Sequence, residues 1–331
     1  MNVSRVSPRP LLEAEGLEKR YAVRRGVLGR SRGHLPALRG VSFTVGEGET
    51  LGLVGESGSG KTTTGRIVAR LIEPDAGAVR FDGADWLALE GRELRRKRRE
   101  LQVVFQDPQT SLNPRMRVGD QIGEPLRIHR IASGTALSAR VRELLSDVGL
   151  PADFGRRFPS ELSGGQRQRA AIARALASGP RLVVCDEPVS ALDVSIAAQI
   201  INLLLDLRER SGLAYLFIAH DIAVVSRIAD RIAVFYLGRI VEEGPAAALI
   251  ERPLHPYTAA LIAAVPEPEP HALGPSRALA GEPPWAGQAP PGCPFHPRCP
   301  IARERCRQDR PELSDAGGAR RVACFFPGEL P

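Results

Sequence analysis

One local pattern leaves this chain little freedom in how it can fold. An apolar run, Leu51 to Val54, enters the glycine-rich stretch Gly55-Glu56-Ser57-Gly58-Ser59-Gly60 and leaves through Lys61-Thr62-Thr63. Such a run reads as a buried strand, a tight turn and a helix that starts near Lys61. Gly55, four residues, Gly60, Lys61 and Thr62 satisfy the phosphate-loop pattern G-x-x-x-x-G-K-[ST]. Glycines let the backbone curl so that several N–H groups face one anion. The helix start behind them adds unpaired N–H groups and about half a positive charge. Lys61 can then reach the β- and γ-phosphates of a nucleotide, and the Thr62 hydroxyl can ligate Mg²⁺. A chance glycine-rich turn is the competing reading, and the strand–helix context weakens it. The pattern predicts that the chain binds a nucleoside triphosphate.

With 331 residues there is length for one large or two modest domains and an ample core. Hydrophobic residues at 43% and charged residues at 25% are those of a soluble globular protein. A net charge of +7 points to anionic partners, which charge alone does not separate into nucleotide, nucleic acid or membrane surface. No apolar run approaches the roughly 20 residues of a membrane span. Met1 to Glu13 lacks a signal-peptide apolar region, so the expectation is a cytosolic chain. There, five cysteines suit ligands, redox groups or core positions better than disulfides.

In chain order, residues 11–23 and 38–55 read as strands flanking an Arg- and Gly-rich loop at 24–33. Alternation in Val41 to Val45 suits a half-buried antiparallel strand. Another short strand is expected at Ala78 to Asp82. Arg92 to Arg99 holds six basic residues in eight. With no interleaved aromatics it suits a solvated helix face better than a nucleic-acid site. Leu101 to Gln106 is a strand ending in an amide, and 116–160 is mostly helical. Ser163 is expected to cap a helix beginning at Gly164 and Gly165, a second helix start suited to an anion. Arg181 to Glu187 is a continuous apolar strand tipped by Asp186 and Glu187, where parallel sheets place ligands. Asp186 suits Mg²⁺ and Glu187 suits a general base. Cys185 reads as a core residue. Ser195 is expected to cap the next helix, and Leu213 to Ala219 is a buried strand ending in His220. Two short strands follow, 231–237 and 239–243. Residues 264–292 read as linker, and four cysteines close the chain: Cys293, Cys299, Cys306 and Cys324.

Taken together these segments resemble an ABC-transporter ATPase. The likeness rests on an ordered set: Gly55–Thr62 as Walker A, Gln106 as Q-loop and Leu162–Gln166 (LSGGQ) as signature. Asp186 and Glu187 follow as Walker B and catalytic base, then Ser190-Ala191-Leu192-Asp193 as D-loop and His220 as H-loop. Within that family the chain is similar to the ATPase subunits of oligopeptide/dipeptide importers. The stretches that carry this are Phe105 to Pro108 with Ser111 to Met116, Tyr236 to Glu242, Leu254 to Thr258, and the tail opening at Gly292-Cys293-Pro294. The resemblance covers roughly residues 11 to 327. Glu49 to Gly55 and the Arg-rich loop look more like the F-type than the D-type subunit.

The resemblance implies an α/β fold: a P-loop NTPase (RecA-like) core with an antiparallel β subdomain and a helical signature subdomain. The ATPase domain is expected at 11–250, its helical subdomain at about 107–178, and a C-terminal extension at 251–331 with the cysteine tail at 293–324. It implies ATP binding by Tyr21, stacked on adenine, and by Gly55, Glu56, Ser57, Gly58, Ser59, Gly60, Lys61, Thr62 and Thr63. Mg²⁺ would be held by Thr62, Gln106 and Asp186. Catalysis would fall to Glu187, His220, Gln106 and Lys61, while Ser163, Gly164, Gly165 and Gln166 cover the γ-phosphate of a partner's ATP. No expected catalytic residue is replaced, which predicts an active site rather than a vestigial one.

The cysteine spacing C-x5-C-x6-C-x17-C lacks the paired C-x2-C of common zinc sites, and four thiolates also suit iron–sulfur ligation. Resemblance favours a [4Fe–4S] cluster over zinc or no metal. It also implies a second ATPase subunit, D-type or a second copy, two membrane permease subunits, and an extracellular or periplasmic substrate-binding protein. The chain would then lie peripherally on the cytoplasmic face of the membrane. The rival class is a soluble ABC ATPase acting on nucleic acid or ribosomes. Such proteins usually fuse two ATPase units or carry a long coiled-coil insertion, and this chain has neither, so no nucleic acid is expected. Nickel or glutathione could replace peptide as cargo.

Overall fold

A computed structural model describes residues 9–24, 31–107, 111–265 and 289–330. Pro108, most of the Arg-rich loop and most of the expected linker therefore lie outside the described residues. The chain forms two compact units. One consists of Glu13–Thr44, Leu51–Val79 and Ile218–Pro331; the other of Arg80–Phe217 with Val45–Thr50 and the N-terminal stretch to Leu12.

The unit that carries the phosphate loop contains β1 (Leu12–Arg24), β2 (Ser31–Val45), β3 (Thr50–Val54) and the start of β4 (Ala76–Phe81), with β1 between β2 and β4. In β2 the alternation holds: Val41, Phe43 and Val45 are buried and Thr44 is exposed. The strand-forming stretch expected over 38–55 is divided between β2, which ends at Val45, and β3, which starts at Thr50. Gly48, at φ +63°, turns the chain between them, and the Glu49 N–H donates to the Gly46 carbonyl. Every residue of β3 is buried, as a parallel strand covered on both faces requires.

The second unit holds β5 (Ala84–Asp85), β6 (Leu101–Val104), β7 (Leu182–Asp186) and most of β8 (Ala214–Ala219). β6 and β7 run parallel with Leu101 opposite Leu182 and Val104 opposite Cys185. All five residues of β7 and all six of β8 are buried. Cys185 is fully buried, and desolvation pushes its thiol far above the usual range, so it is a core residue.

In the first unit, α1 (Lys61–Val68) follows the phosphate loop. The second unit holds α2 (Gly91–Lys97), the basic run, which buries none of its residues and is the solvated face expected. Three longer helices follow, α3 (Val118–Ile128), α4 (Gly134–Asp147) and α5 (Gly164–Leu176). Leu144, Leu145 and Val148 are buried. Next comes α6 (Val194–Ser211), whose cap is not Ser195. Asp193 caps it: its carboxylate accepts the Ile196 N–H at 2.9 Å and the Ser195 hydroxyl at 2.8 Å. A carboxylate at a helix N-terminus also gains from the dipole, which a hydroxyl does not match.

Back in the first unit, β9 (Arg231–Tyr236) runs parallel to β3, Leu51 facing Arg231, and antiparallel to β10 (Arg239–Pro245). The strands β11 (Ser314–Gly317) and β12 (Arg320–Val322) extend this sheet, Val322 pairing with Glu242. Glu242 and Glu243 are only 0% and 2% exposed. Both are satisfied: Glu242 accepts the Leu254 and His255 N–H groups at 3.0 and 2.9 Å and an Arg320 N–H at 2.6 Å. Glu243 accepts from Arg231 and Arg321. Buried carboxylates with charged and amide donors knot the segment after β10 onto the sheet.

Also in the first unit, α7 (Ile222–Ser226), α8 (Ala246–Glu251) and α9 (Pro256–Ala263) precede a terminal segment that contains α10 (Glu304–Gln308). His255 caps α9, its Nδ1 accepting the Tyr257 N–H at 3.0 Å. Burial alone lowers its pKa to about 3. The imidazole is therefore neutral when folded, while an unfolded histidine gains a proton near pH 6.5. Stability from this group is present above about pH 6.5 and falls as pH drops toward 3, by about 2 kcal/mol at pH 5. His255→Asn keeps a capping acceptor without the titration. Its urea midpoint between pH 7 and pH 5 is expected to fall less steeply than that of wild type.

Candidate functional site

The phosphate loop is held from three directions within its own unit. A Cβ on Gly55 would lie 2.2 Å from the Phe235 carbonyl oxygen of β9, so only glycine lets the loop back onto that strand. The Gly238 N–H, in the turn between β9 and β10, donates to the Ser59 carbonyl at 2.8 Å. From the C-terminal segment, the Tyr257 hydroxyl accepts the Glu56 N–H at 2.9 Å, and Arg298 grips the Glu56 carboxylate with two N–H donors, each at 2.8 Å. Lys61, only 4% exposed, turns its ammonium into the loop, donating to the Gly55 and Glu56 carbonyls at 2.6 and 2.9 Å. Ser57 and Gly58 are exposed on the outside of the turn, and Thr62 and Thr63 are half-buried in the first turn of α1. Tyr21 is an exposed aromatic on β1, and His220 is exposed at the end of β8.

The other candidates converge within the second unit. Asp186, 7% exposed, ends β7, and Glu187 follows at φ +48°. That left-handed conformation is uncommon for a residue with a Cβ and concentrates at functional sites. Gln106 Nε2 donates to Glu187 Oε2 at 3.0 Å, so the amide and carboxylate singled out 81 positions apart meet directly. Ser190 donates its hydroxyl to the Glu187 carbonyl at 3.1 Å, tying the D-loop to the same corner.

Ser163 caps α5 in a reciprocal pair: Gln166 N–H to the Ser163 hydroxyl at 3.4 Å, and Ser163 N–H to the Gln166 side chain at 2.9 Å. A Cβ on Gly165 would come within 2.6 Å of Ile196, and one on Gly164 within 3.4 Å of Leu192. The signature therefore packs on the D-loop and the start of α6, and its glycines make that approach possible. Ala191, like Asp193, is exposed.

All four cysteines of the tail line one small cavity, beside His255 and Phe295. The Cys293 N–H donates to the Cys306 carbonyl at 2.8 Å, and Gly292, at φ +67°, admits no Cβ against that strand of chain. Burial raises the Cys293 thiol to about 11, with the other three cysteines adding to the shift. The donor type suits a soft metal or cluster. Among the described residues, no group of three or more His, Cys, Asp or Glu is disposed to hold a metal ion.

Sequence reading missed the contacts of Tyr257 and Arg298. Both lie in stretches noted only as likenesses, and they meet Glu56 across 201 and 242 positions, beyond the reach of any periodicity.

A glycine-rich loop closing on a lysine, a strand ending in two carboxylates and a capped LSGGQ helix define a P-loop ATPase of the ATP-binding-cassette kind. Comparison with known proteins agrees. The ABC transporter family model matches residues 38–190, and the model for the oligopeptide/dipeptide transporter C-terminal region matches 241–306. The chain is 49% identical to the "Probable peptide ABC transporter ATP-binding protein y4tS" of Sinorhizobium fredii, over 95% of this chain and 89% of that one. It is 44% identical to the dipeptide transport ATP-binding protein DppF of Haemophilus influenzae, over 96% of each. Among solved structures, the dimeric post-hydrolysis state of the ATP-binding cassette MJ0796 bound to ADP and Pi shares 32% identity at a TM-score of 0.63, covering 71% of this chain and 98% of that one. The chain belongs to the ATP-binding subunits of ABC transporters. Among the described residues no helix is long and apolar enough to cross a membrane.

Proposed function

We propose that this chain hydrolyses ATP to drive import of short peptides, working on the cytoplasmic face of the cell membrane. The observation that carries this reading is that one chain joins a complete set of ATPase motifs to the oligopeptide/dipeptide C-terminal region, alike along its length to a dipeptide transport relative. Its ATPase domain is taken as 11–250 and its extension as 251–331.

In this proposal Lys61 and the amides of Gly55–Thr62 bind the β- and γ-phosphates, and Tyr21 stacks on adenine. Thr62, Gln106 and Asp186 offer hydroxyl, amide and carboxylate oxygens, the hard donors that Mg²⁺ prefers. Mg²⁺, when bound, neutralises phosphate charge. Glu187 takes a proton from the water that attacks the γ-phosphorus, and His220 contacts the γ-phosphate. Ser163, Gly164, Gly165 and Gln166 aim the N-terminus of α5 at ATP held by a second subunit, with the D-loop Ser190–Asp193 at the contact between the two. The second subunit is a D-type chain or another copy. Two permease subunits carry the cargo, which an extracellular binding protein delivers.

The four tail cysteines are proposed as [4Fe–4S] ligands on donor type and their shared cavity alone, and no step of the mechanism passes through them. Iron and acid-labile sulfide in the anaerobically purified chain decide this: four iron per chain supports it, zinc or no metal overturns it.

The transport reading is tested by ATP turnover of the chain assembled with its permease and partner subunits. Binding protein loaded with di-, tri- or pentapeptide is expected to raise turnover several-fold. Stimulation only by nickel-loaded binding protein, or by ribosomes or nucleic acid, would move the chain to one of the alternative classes.

A further inference from the structure

Two partners of Glu56, Tyr257 and Arg298, lie outside the cassette motifs. Its carboxylate is held by a fork of two N–H bonds from Arg298, whose side chain is 5% exposed against 24% for Glu56. Its own N–H, one of those that the loop could turn to phosphate, is bound instead by the Tyr257 hydroxyl at 2.9 Å. Arg298 and Tyr257 are themselves fixed. Tyr257, Tyr236 and Phe295 form a buried aromatic cluster with ring centroids 4.7 to 5.4 Å apart, and the Arg298 guanidinium lies 6.0 Å from the Tyr236 ring. Arg298 ends the short helical turn His296–Arg298, which lies between Cys293 and Cys299.

Two parallel bonds between planar groups fix orientation as well as position, which a single contact does not. The Glu56 carbonyl, in turn, accepts from the Lys61 ammonium. A shift of Arg298 would therefore move the peptide that holds Lys61.

We propose that Arg298 is a positioning residue for the nucleotide site, through which the cysteine-bearing C-terminal segment sets the phosphate loop's affinity for ATP. This rests on the reading of Gly55–Thr62 as the ATP phosphate loop. A change in the turn between Cys293 and Cys299 then reaches the phosphate loop through one ion pair, with Tyr257 as the second brace.

The test measures binding of a fluorescent ATP analogue with Mg²⁺ to the purified full-length chain, beside its thermal unfolding midpoint. Arg298→Ala is expected to weaken binding about tenfold, with Arg298→Lys between it and wild type, since lysine keeps the charge and loses the fork. Glu56→Ala is expected to match Arg298→Ala, and the double variant to bind no more weakly than either single one, the mark of one shared interaction. Tyr257→Phe, the mildest change, serves if Arg298→Ala does not fold, and is expected to weaken binding about threefold by removing the second brace on the Glu56 peptide. Variants that melt earlier yet bind the analogue as wild type does at 10 °C would make Arg298 a fold-stabilising residue only, overturning the inference and leaving the phosphate-loop reading intact. Wild type that binds no analogue, or Lys61→Ala that binds it unchanged, would overturn the phosphate-loop reading itself.

Discussion

Glu187→Gln is expected to bind ATP as tightly as wild type and to hydrolyse it about a thousandfold more slowly, the scale of a lost general base. The substitution is close to isosteric, and the corner that holds it survives. The glutamine side-chain oxygen can still accept the Gln106 amide now 3.0 Å from Glu187 Oε2, and the Ser190 hydroxyl bonds the main chain, which does not change. The backbone stays at φ +48°, equally strained for either side chain. What disappears is the capacity to take a proton from water, since an amide oxygen is not basic near neutral pH. Single-turnover phosphate release in the assembled transporter, compared with equilibrium ATP binding, separates the two. Turnover above a tenth of wild type would show that the proton goes elsewhere, and the Glu187 assignment would fall. Asp186→Asn is the companion change: it is expected to lower turnover by weakening Mg²⁺ binding, so excess Mg²⁺ should partly restore it, as it should not for Glu187→Gln.

The ATPase motifs were legible because each is local. A buried parallel strand needs an unbroken apolar run, and the run that opens at Leu182 closes on Asp186, with Glu187 next in the chain. The start of α5 was legible for the same reason, since a Ser followed three residues later by Gln satisfies two helix-end donors at once. Local rules failed where two residues competed for one role. Asp193 and Ser195 can both cap a helix, and the carboxylate prevailed by accepting both the Ile196 N–H and the Ser195 hydroxyl. Over 38–55 the apolar residues on both sides of the Gly46–Glu49 turn signal strand without marking where one ends and the next begins. Two glycines in Gly46-Glu47-Gly48 were the signal that the strand breaks. The braces on Glu56 could not be read at all. They join the phosphate loop to Tyr257 and Arg298 through the fold, and neither residue announces its partner. Cysteine spacing is likewise mute on arrangement: four thiols reach one cavity without forming a metal-holding group among the described residues.

Gly60→Ala and Lys61→Ala are both expected to abolish ATP binding, for different physical reasons that unfolding measurements separate. Gly60 sits at φ +110°, and an added Cβ would come within 2.6 Å of the Ala37 carbonyl oxygen and 2.8 Å of Leu38 Cδ2. The first of these is backbone in β2 and cannot swing aside as a side-chain tip could. Alanine there must either strain the loop or push it off the strand, at a cost of about 2–4 kcal/mol. Lys61→Ala meets no such obstacle, being an ordinary helical residue at the start of α1. It removes an ammonium that is 4% exposed and bonded to the Gly55 and Glu56 carbonyls. Removing it relieves the desolvation of a buried charge but takes a donor from two loop carbonyls, opposing effects whose net is expected to be about 1 kcal/mol. Its effect falls on the nucleotide: loss of the lysine proposed to meet the phosphates is expected to weaken ATP by at least about a hundredfold. Gly60→Ala should therefore show a lower urea midpoint and no binding, Lys61→Ala a near-normal midpoint and no binding. A Gly60→Ala chain with the wild-type midpoint would mean that β2 yields at Ala37, and that the loop's shape is not imposed from that side.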